Sequence, residues 1–183
     1  MYALCFLSLS LLLSATVMNY IKESSIKNAV RLMKAMRLDE AALLSLQVPY
    51  LEGYKRNPDK PISNDEKEFL QCLKSTPTSI FSDFIVDEIT EKLSADEVQD
   101  AIDFFEGRVG VKIISQELDT DNVELQPEFT DSEAKELSRF KMTSSGNKIL
   151  LKKTLYSTEL FRKLNKKNNE ISHICATSTK HAN

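Results

Sequence analysis

The chain has 183 residues, 42% of them apolar and 28% charged, with 4 Gly, 5 Pro and no Trp. A single globular domain of this size buries enough surface to dispense with a metal or disulfide scaffold, and the scarcity of Gly and Pro favours helix over sheet. The formal charge of −3 is unevenly spread: residues 1–82 carry 10 Lys/Arg against 8 Asp/Glu, residues 83–136 carry 4 against 17, and residues 137–183 carry 10 against 2. The basic C-terminal block either lies near the acidic middle or forms a solvated face. Its lysines, in "LLKKTLY" and "FRKLNKKNN", are not interleaved with stacking aromatics, so no nucleic-acid partner is expected.

In chain order, "MYALCFLSLSLLLSATVMNYI" comes first and carries no charge before Lys22. Ala3–Leu13 matches the apolar region of a secretory signal, and small residues follow it. Residues 1–19 are therefore expected to be a signal peptide cleaved between Ala15 and Asn19. An uncleaved anchor and a buried N-terminal helix stand as alternatives. Serines 8, 10 and 14 make a poor membrane span, Cys5 sits too early for lipoprotein attachment, and no Lys or Arg precedes Leu4. Export follows from this reading, to the periplasm in a Gram-negative source. Anchoring in the inner membrane is the alternative.

The remainder predicts an all-α domain of about 7–8 helices over 20–165, followed by a flexible polar tail, 166–183. "SSIKNAVRLMKAM" places Ile26, Val30, Met33 and Met36 on one face, with Ser24 or Ser25 as the cap. A second helix starts at Asp39. Pro49 kinks or restarts it before "YLEGYKRNPDKP" dissolves into a loop. "SNDEKEFLQCLKS" is a third helix, capped by Ser63 or Asn64 and apolar at Phe69, Cys72 and Leu73. "TPTSIFSDFIVDEITEKL" is a fourth, turning Ile80, Phe84, Ile85 and Ile89 inward, with Glu88 at the edge of the stripe.

The C-terminal half repeats itself. Residues 93–114, "LSADEVQDAIDFFEGRVGVKII", align without a gap at an offset of 36 with residues 129–150, "FTDSEAKELSRFKMTSSGNKIL". Each copy opens with a capping box, Ser94/Glu97 and Thr130/Glu133, and Leu93 and Phe129 stand where a hydrophobic staple would sit, with Val98 the better partner and Ala134 the poorer. Each first helix ends just past its Phe, and a second begins at Gly107 or Thr143. Gly110 and Gly146 then fall inside that second helix, where glycine is unfavourable by about 1 kcal/mol. Their recurrence predicts a close helix crossing with no room for a Cβ. An anion site at these corners is the functional alternative; it lacks both a G-x-x-x-x-G-K-S/T loop and a preceding strand.

Helix, then F-F/Y-x-S/T-x-x-G-x-K/R-I/L, then helix, in two copies behind a signal peptide, resembles the bacterial proteins of domain of unknown function 2059. Phe104, Phe105, Gly110, Lys112 and Ile113 meet the pattern, as do Phe140, Thr143, Gly146, Lys148 and Ile149. The resemblance covers roughly Asp83–Leu164. Gly107 departs from the usual Ser or Thr, Lys141 from a second aromatic, and no proline follows Gly107 or Thr143. The resemblance implies an all-α exported protein and no particular activity.

Chemistry is sparsely marked. His173 and His181 both fall in the expected tail, with no nucleophile motif beside them. Asp119, Asp121 and Glu124 loosely suggest a cation loop, yet lack the glycine and terminal glutamate of a calcium hand; a solvated linker is the reading preferred. Asp100 and Asp103, one turn apart, read as an outward solvated face. No catalytic residue, cofactor or metal is indicated. With the signal removed, Cys72 and Cys175 remain, either as a bridge in an oxidising compartment or with Cys72 buried and free. Three function classes follow: a non-catalytic binding or adaptor module holding a peptide, lipid or protein in a helical groove, an envelope protein using its basic C-terminal helix on anionic surfaces, and an enzyme with an unrecognised site.

Overall fold

The computed structural model describes residues 22–55, 62–118 and 128–178. The expected signal segment, the Asp119/Asp121/Glu124 cluster and His181 lie outside them. The fold is all-α, with no strand among the described residues. Helix α1 (22–35) turns through Arg37, at φ 49°, into α2 (Leu38–Lys55). Next come α3 (Asn64–Ser75), a 3-10 turn (Thr78–Phe81) and α4 (Ser82–Lys92). The first copy of the repeat supplies α5 (Ala95–Phe105) and α6 (Arg108–Glu117). The second supplies α7 (Asp131–Met142) and the short α8 (Ser144–Gly146), which runs straight into one π-helical turn, Asn147–Leu151. Helix α9 (Thr158–Ser178) closes the fold. One apolar cluster joins all of these, from Leu32 and Met33 through Phe81, Ile89 and Phe105 to Ile149.

Local chemistry accounts for most helix starts. The boxes at Ser63/Glu66, Ser94/Glu97 and Thr130/Glu133 each satisfy two otherwise orphaned amides. In copy 1, Leu93 and Val98 are both buried. In copy 2, Ala134 is exposed, and Phe129 instead lies under Lys112, with Nζ 5.2 Å from the ring centroid.

Several expectations need correction. Helix α1 is already helical at residue 22, so Ser24 and Ser25 lie within it rather than capping it. Its buried face is Ala29, Leu32, Met33 and Met36, while Ile26 and Val30 are exposed. The small Ala29 permits close packing that a count of large apolar residues misses. Helix α2 continues through Pro49 to Lys55. It is held on both sides of the proline, by buried Leu46 before it and by the Tyr50–Phe69 ring contact at 5.0 Å just after. These contacts outweigh the one hydrogen bond that proline removes. The 3-10 turn sets Phe81, not Ile80, into the core, and Glu88 is buried at 2% exposure rather than lying at an edge.

The largest correction is the tail. Residues 166–178 are the second half of α9. Leu160, Ile171 and Cys175 are buried and Leu164 packs against the core, all on one helical stripe. Lys166 and Asn169 are exposed, Lys167 and Asn168 are half-buried, and Asn168 donates to Ser45 of α2 at 3.3 Å; this polar turn disguises the stripe. Helix α9 is fastened to α3 by a disulfide between Cys72 and Cys175, 103 residues apart. Tyr50 and Ser172 share a hydrogen bond at 3.1 Å, which ties it to α2 as well.

Candidate functional site

The recurring motif residues meet at one place. Phe104 and Phe140, equivalent positions of the two copies, stack face to face with centroids 3.8 Å apart and planes within 6°. Phe105 sets its ring edge-on to both, at 5.2 and 5.6 Å. Gly107 and Thr143 are the caps of the second helices. Thr143 Oγ1 accepts from the Gly146 amide at 3.1 Å, and Gly107 makes no side-chain bond. Behind each cap the helices nearly touch. A Cβ on Gly110 would sit 2.4 Å from both Phe104 O and Phe105 Cα; one on Gly146 would sit 1.8 Å from Phe140 O. Those neighbours are backbone atoms with nowhere to go, which explains the glycines sterically.

The polar contacts are exchanged between copies. Lys148 of copy 2 donates to the capping-box Glu97 of copy 1 at 2.7 Å and to the carbonyl of Lys92 at 3.4 Å. Lys112 of copy 1 donates to the capping-box Glu133 of copy 2 at 3.3 Å and to the carbonyl of Glu128. Every partner in one set lies 36 residues from its counterpart. The two copies face each other as subunits of a two-fold dimer would, with residue i touching j and j touching i. The Lys148 hydrogen bond, then that of Ser144, holds the Glu97 carboxyl down at about 2. Glu133 is also held below the usual carboxylate range, first by the Thr130 amide. Ser144 donates to Glu97 and Ser145 to Asp100. Asp100 and Asp103 are both exposed, as the outward reading has it; Asp100 also accepts from Ser145 across the corner, and Asp103 from Gln99 on its own helix. With its hydroxyls aimed at carboxylates, this corner offers an anion no welcome.

Beside the stack lies a groove of about 390 Å³. Its walls are equivalent residues of the two copies: Ile113 and Ile114 from α6, Ile149 and Leu150 from the π turn. Phe105 and Met36 also line it. Its polar lining is Glu117, Lys152, Lys153 and Tyr156, with Phe161 of α9 as a further apolar side. Lys153 holds φ 50°, a left-handed conformation unusual for lysine. Burial, then the charge of Glu117, pushes the Tyr156 hydroxyl up from 10. Tyr156 is 41% exposed, Phe161 50% and neighbouring Leu151 55%. A larger hollow along α7 is bounded by residues of that helix alone among the described residues, so it is an outer face rather than a cleft.

The motif phenylalanines, glycines and lysines stand out in the sequence, and so does the steric reason for the glycines; the stack, the exchanged ion pairs and the lining of the groove do not. The signal available was Ile113/Ile114 recurring as Ile149/Leu150. No group of His, Cys, Asp and Glu suited to a metal occurs among the described residues, and no described helix is long and apolar enough to cross a membrane. His173 is exposed on α9. The chain matches no family model, no curated protein and no solved structure.

Proposed function

We propose that this protein is a non-catalytic binding module of the bacterial cell envelope, exported by its N-terminal segment, that holds the apolar part of a ligand in the groove between α6 and the π turn. The observation that carries the reading is the groove itself: apolar walls, a few convergent polar groups, and a volume within the usual range for ligand sites. The Cys72–Cys175 bridge supports an oxidising compartment. The likeness to the domain of unknown function 2059 proteins, which rests on the repeated motif alone, points the same way.

Native intact mass of protein recovered from cells expressing the full chain tests this directly. The expected result is loss of about 20 N-terminal residues and a non-covalent adduct that disappears in Ile113→Trp, which fills the groove. A full-length, bare chain would count against both export and ligand carriage.

The envelope-surface alternative keeps one supporting observation, the exposed Leu151 and Phe161 near basic residues. Against it, Arg162 and Lys167 of α9 are paired with Glu159 and Glu170. Salt-sensitive binding to anionic vesicles that survives Ile113→Trp is the result that would favour it.

A further inference from the structure

We infer that the groove takes a single-chain amphipathic anion: one unbranched acyl chain ending in a carboxylate, its tail between α6 and the π turn and its headgroup at Lys152 and Lys153. This rests on the groove reading above and adds the chemistry of the occupant.

The tail follows from the walls. Ile113, Ile114, Ile149 and Leu150 offer only hydrocarbon, and they belong to helical turns whose backbone groups bond internally. At about 30 Å³ for a water-sized group, 390 Å³ holds on the order of a dozen methylene-sized units.

The headgroup follows from how the two copies differ. The positions equivalent to Lys152 and Lys153 are Gln116 and Glu117, 36 residues earlier. The groove is therefore walled by equivalent apolar residues, yet one copy ends in an acid and the other in two bases. Lys112 and Lys148 are engaged by carboxylates. Lys152 and Lys153 are exposed, and their side chains make no ion pair or hydrogen bond with a described residue. Among the described residues Glu117 is the one acid lining the groove, against two lysines, so the lining carries a net positive charge. Tyr156 also lines the groove, and its phenol O–H can donate to a carboxylate. The exposed rings of Tyr156 and Phe161 offer apolar surface where an emerging chain would lie.

The experiment is isothermal titration of the protein, as recovered from expression of the full chain, with three ten-carbon probes below their micelle concentrations: decanoate, decyltrimethylammonium and decanol. One decanoate is expected to bind, about tenfold more tightly than the cation, with the alcohol between. Lys152→Gln/Lys153→Gln should erase most of that preference while leaving the Tm in place, since both side chains are exposed. Ile113→Trp should abolish binding of all three, with Leu150→Trp replacing it if that variant fails to fold. Equal binding of anion and cation overturns the anionic ligand but leaves the apolar groove standing. A preference for decanoate that persists in the double lysine variant also overturns the inference, because the headgroup then sits elsewhere. No binding by any probe overturns the groove reading and this inference together.

Discussion

The first copy of the repeat carries on where the second stops. After Gly110, α6 runs as a regular helix to Glu117; after Gly146, α8 gives way within one residue to a π turn that ends at Leu151 and leaves through Lys153 in a left-handed conformation. At the positions where they touch the copies match, because each is the other's packing partner. The phenylalanine stack, the glycine crossings and the exchanged Lys–Glu pairs all require equivalent residues on both sides. The backbones part just after the glycines, where the π turn begins at Asn147, but the groove-lining side chains stay equivalent through Ile114 and Leu150; only beyond these do the two segments diverge in charge, while still facing each other across the groove. Constraint and divergence thus sit a few residues apart, and the candidate site lies where divergence begins. π turns inside helices are often found at functional positions, and this one supplies half of a groove wall.

The comparison can be broken at its centre. Phe140→Ala should destabilise the fold by about 4 kcal/mol, and Phe104→Ala by nearly as much, since each removes the same stack and leaves a cavity. Urea denaturation measures both, and a Phe104→Ala variant that is nearly wild type would mean the stack is not shared. The glycines sharpen the contrast: Gly146→Ala should lower stability by about 3 kcal/mol and Gly110→Ala by about 2, following the tighter approach in copy 2. The reverse order would show that α6, the longer helix, yields less readily than the π turn.

The exchanged ion pairs give a smaller effect with a sign. Glu97 is held at about 2 against its usual 4.5, by Lys148 first and Ser144 second. A carboxylate depressed in the folded state adds stability that is complete above the unfolded value and is lost as pH falls from about 4.5 toward 2. Glu97→Gln should therefore cut stability at pH 7 by about 1 to 2 kcal/mol, allowing for the 35% exposure of Lys148, and should flatten the profile between pH 4.5 and 2. Glu133→Gln should flatten it less, because Lys112 stands further away at 3.3 Å. Equal slopes in the two variants would make the pairs equivalent in strength as well as position. Smallest of all, Lys153→Gly should stabilise the chain by about 0.5 kcal/mol by relieving the left-handed backbone, with no counterpart expected in copy 1, where Glu117 is helical.

Features written at fixed short spacing were readable from the chain alone. The capping boxes need only a hydroxyl and a glutamate three residues apart, and the close crossings show as glycines recurring in equal register. The all-α class follows from apolar steps of three and four. Where a residue's fate depends on partners distant in sequence, that reading failed. Glu88 looked marginal on its own helix and is enclosed by others. Pro49 looked like a break and is held by α3 and α9. The polar run Lys166–Asn169 looked like a tail and is one full turn of a helix that is bonded through Cys175 to Cys72.

The helical class, the tandem repeat of the C-terminal half and the residues that recur at each corner were legible in the chain alone, because each is written as short spacings, repeated once at an offset of 36. That the copies exchange their lysines, that α9 is docked rather than loose, and that a groove lined by Glu117, Lys152 and Lys153 opens between equivalent apolar residues came only with the packed helices. Those outcomes depend on contacts between segments dozens of residues apart, and their geometry is set by how the helices pack together, which no local pattern encodes.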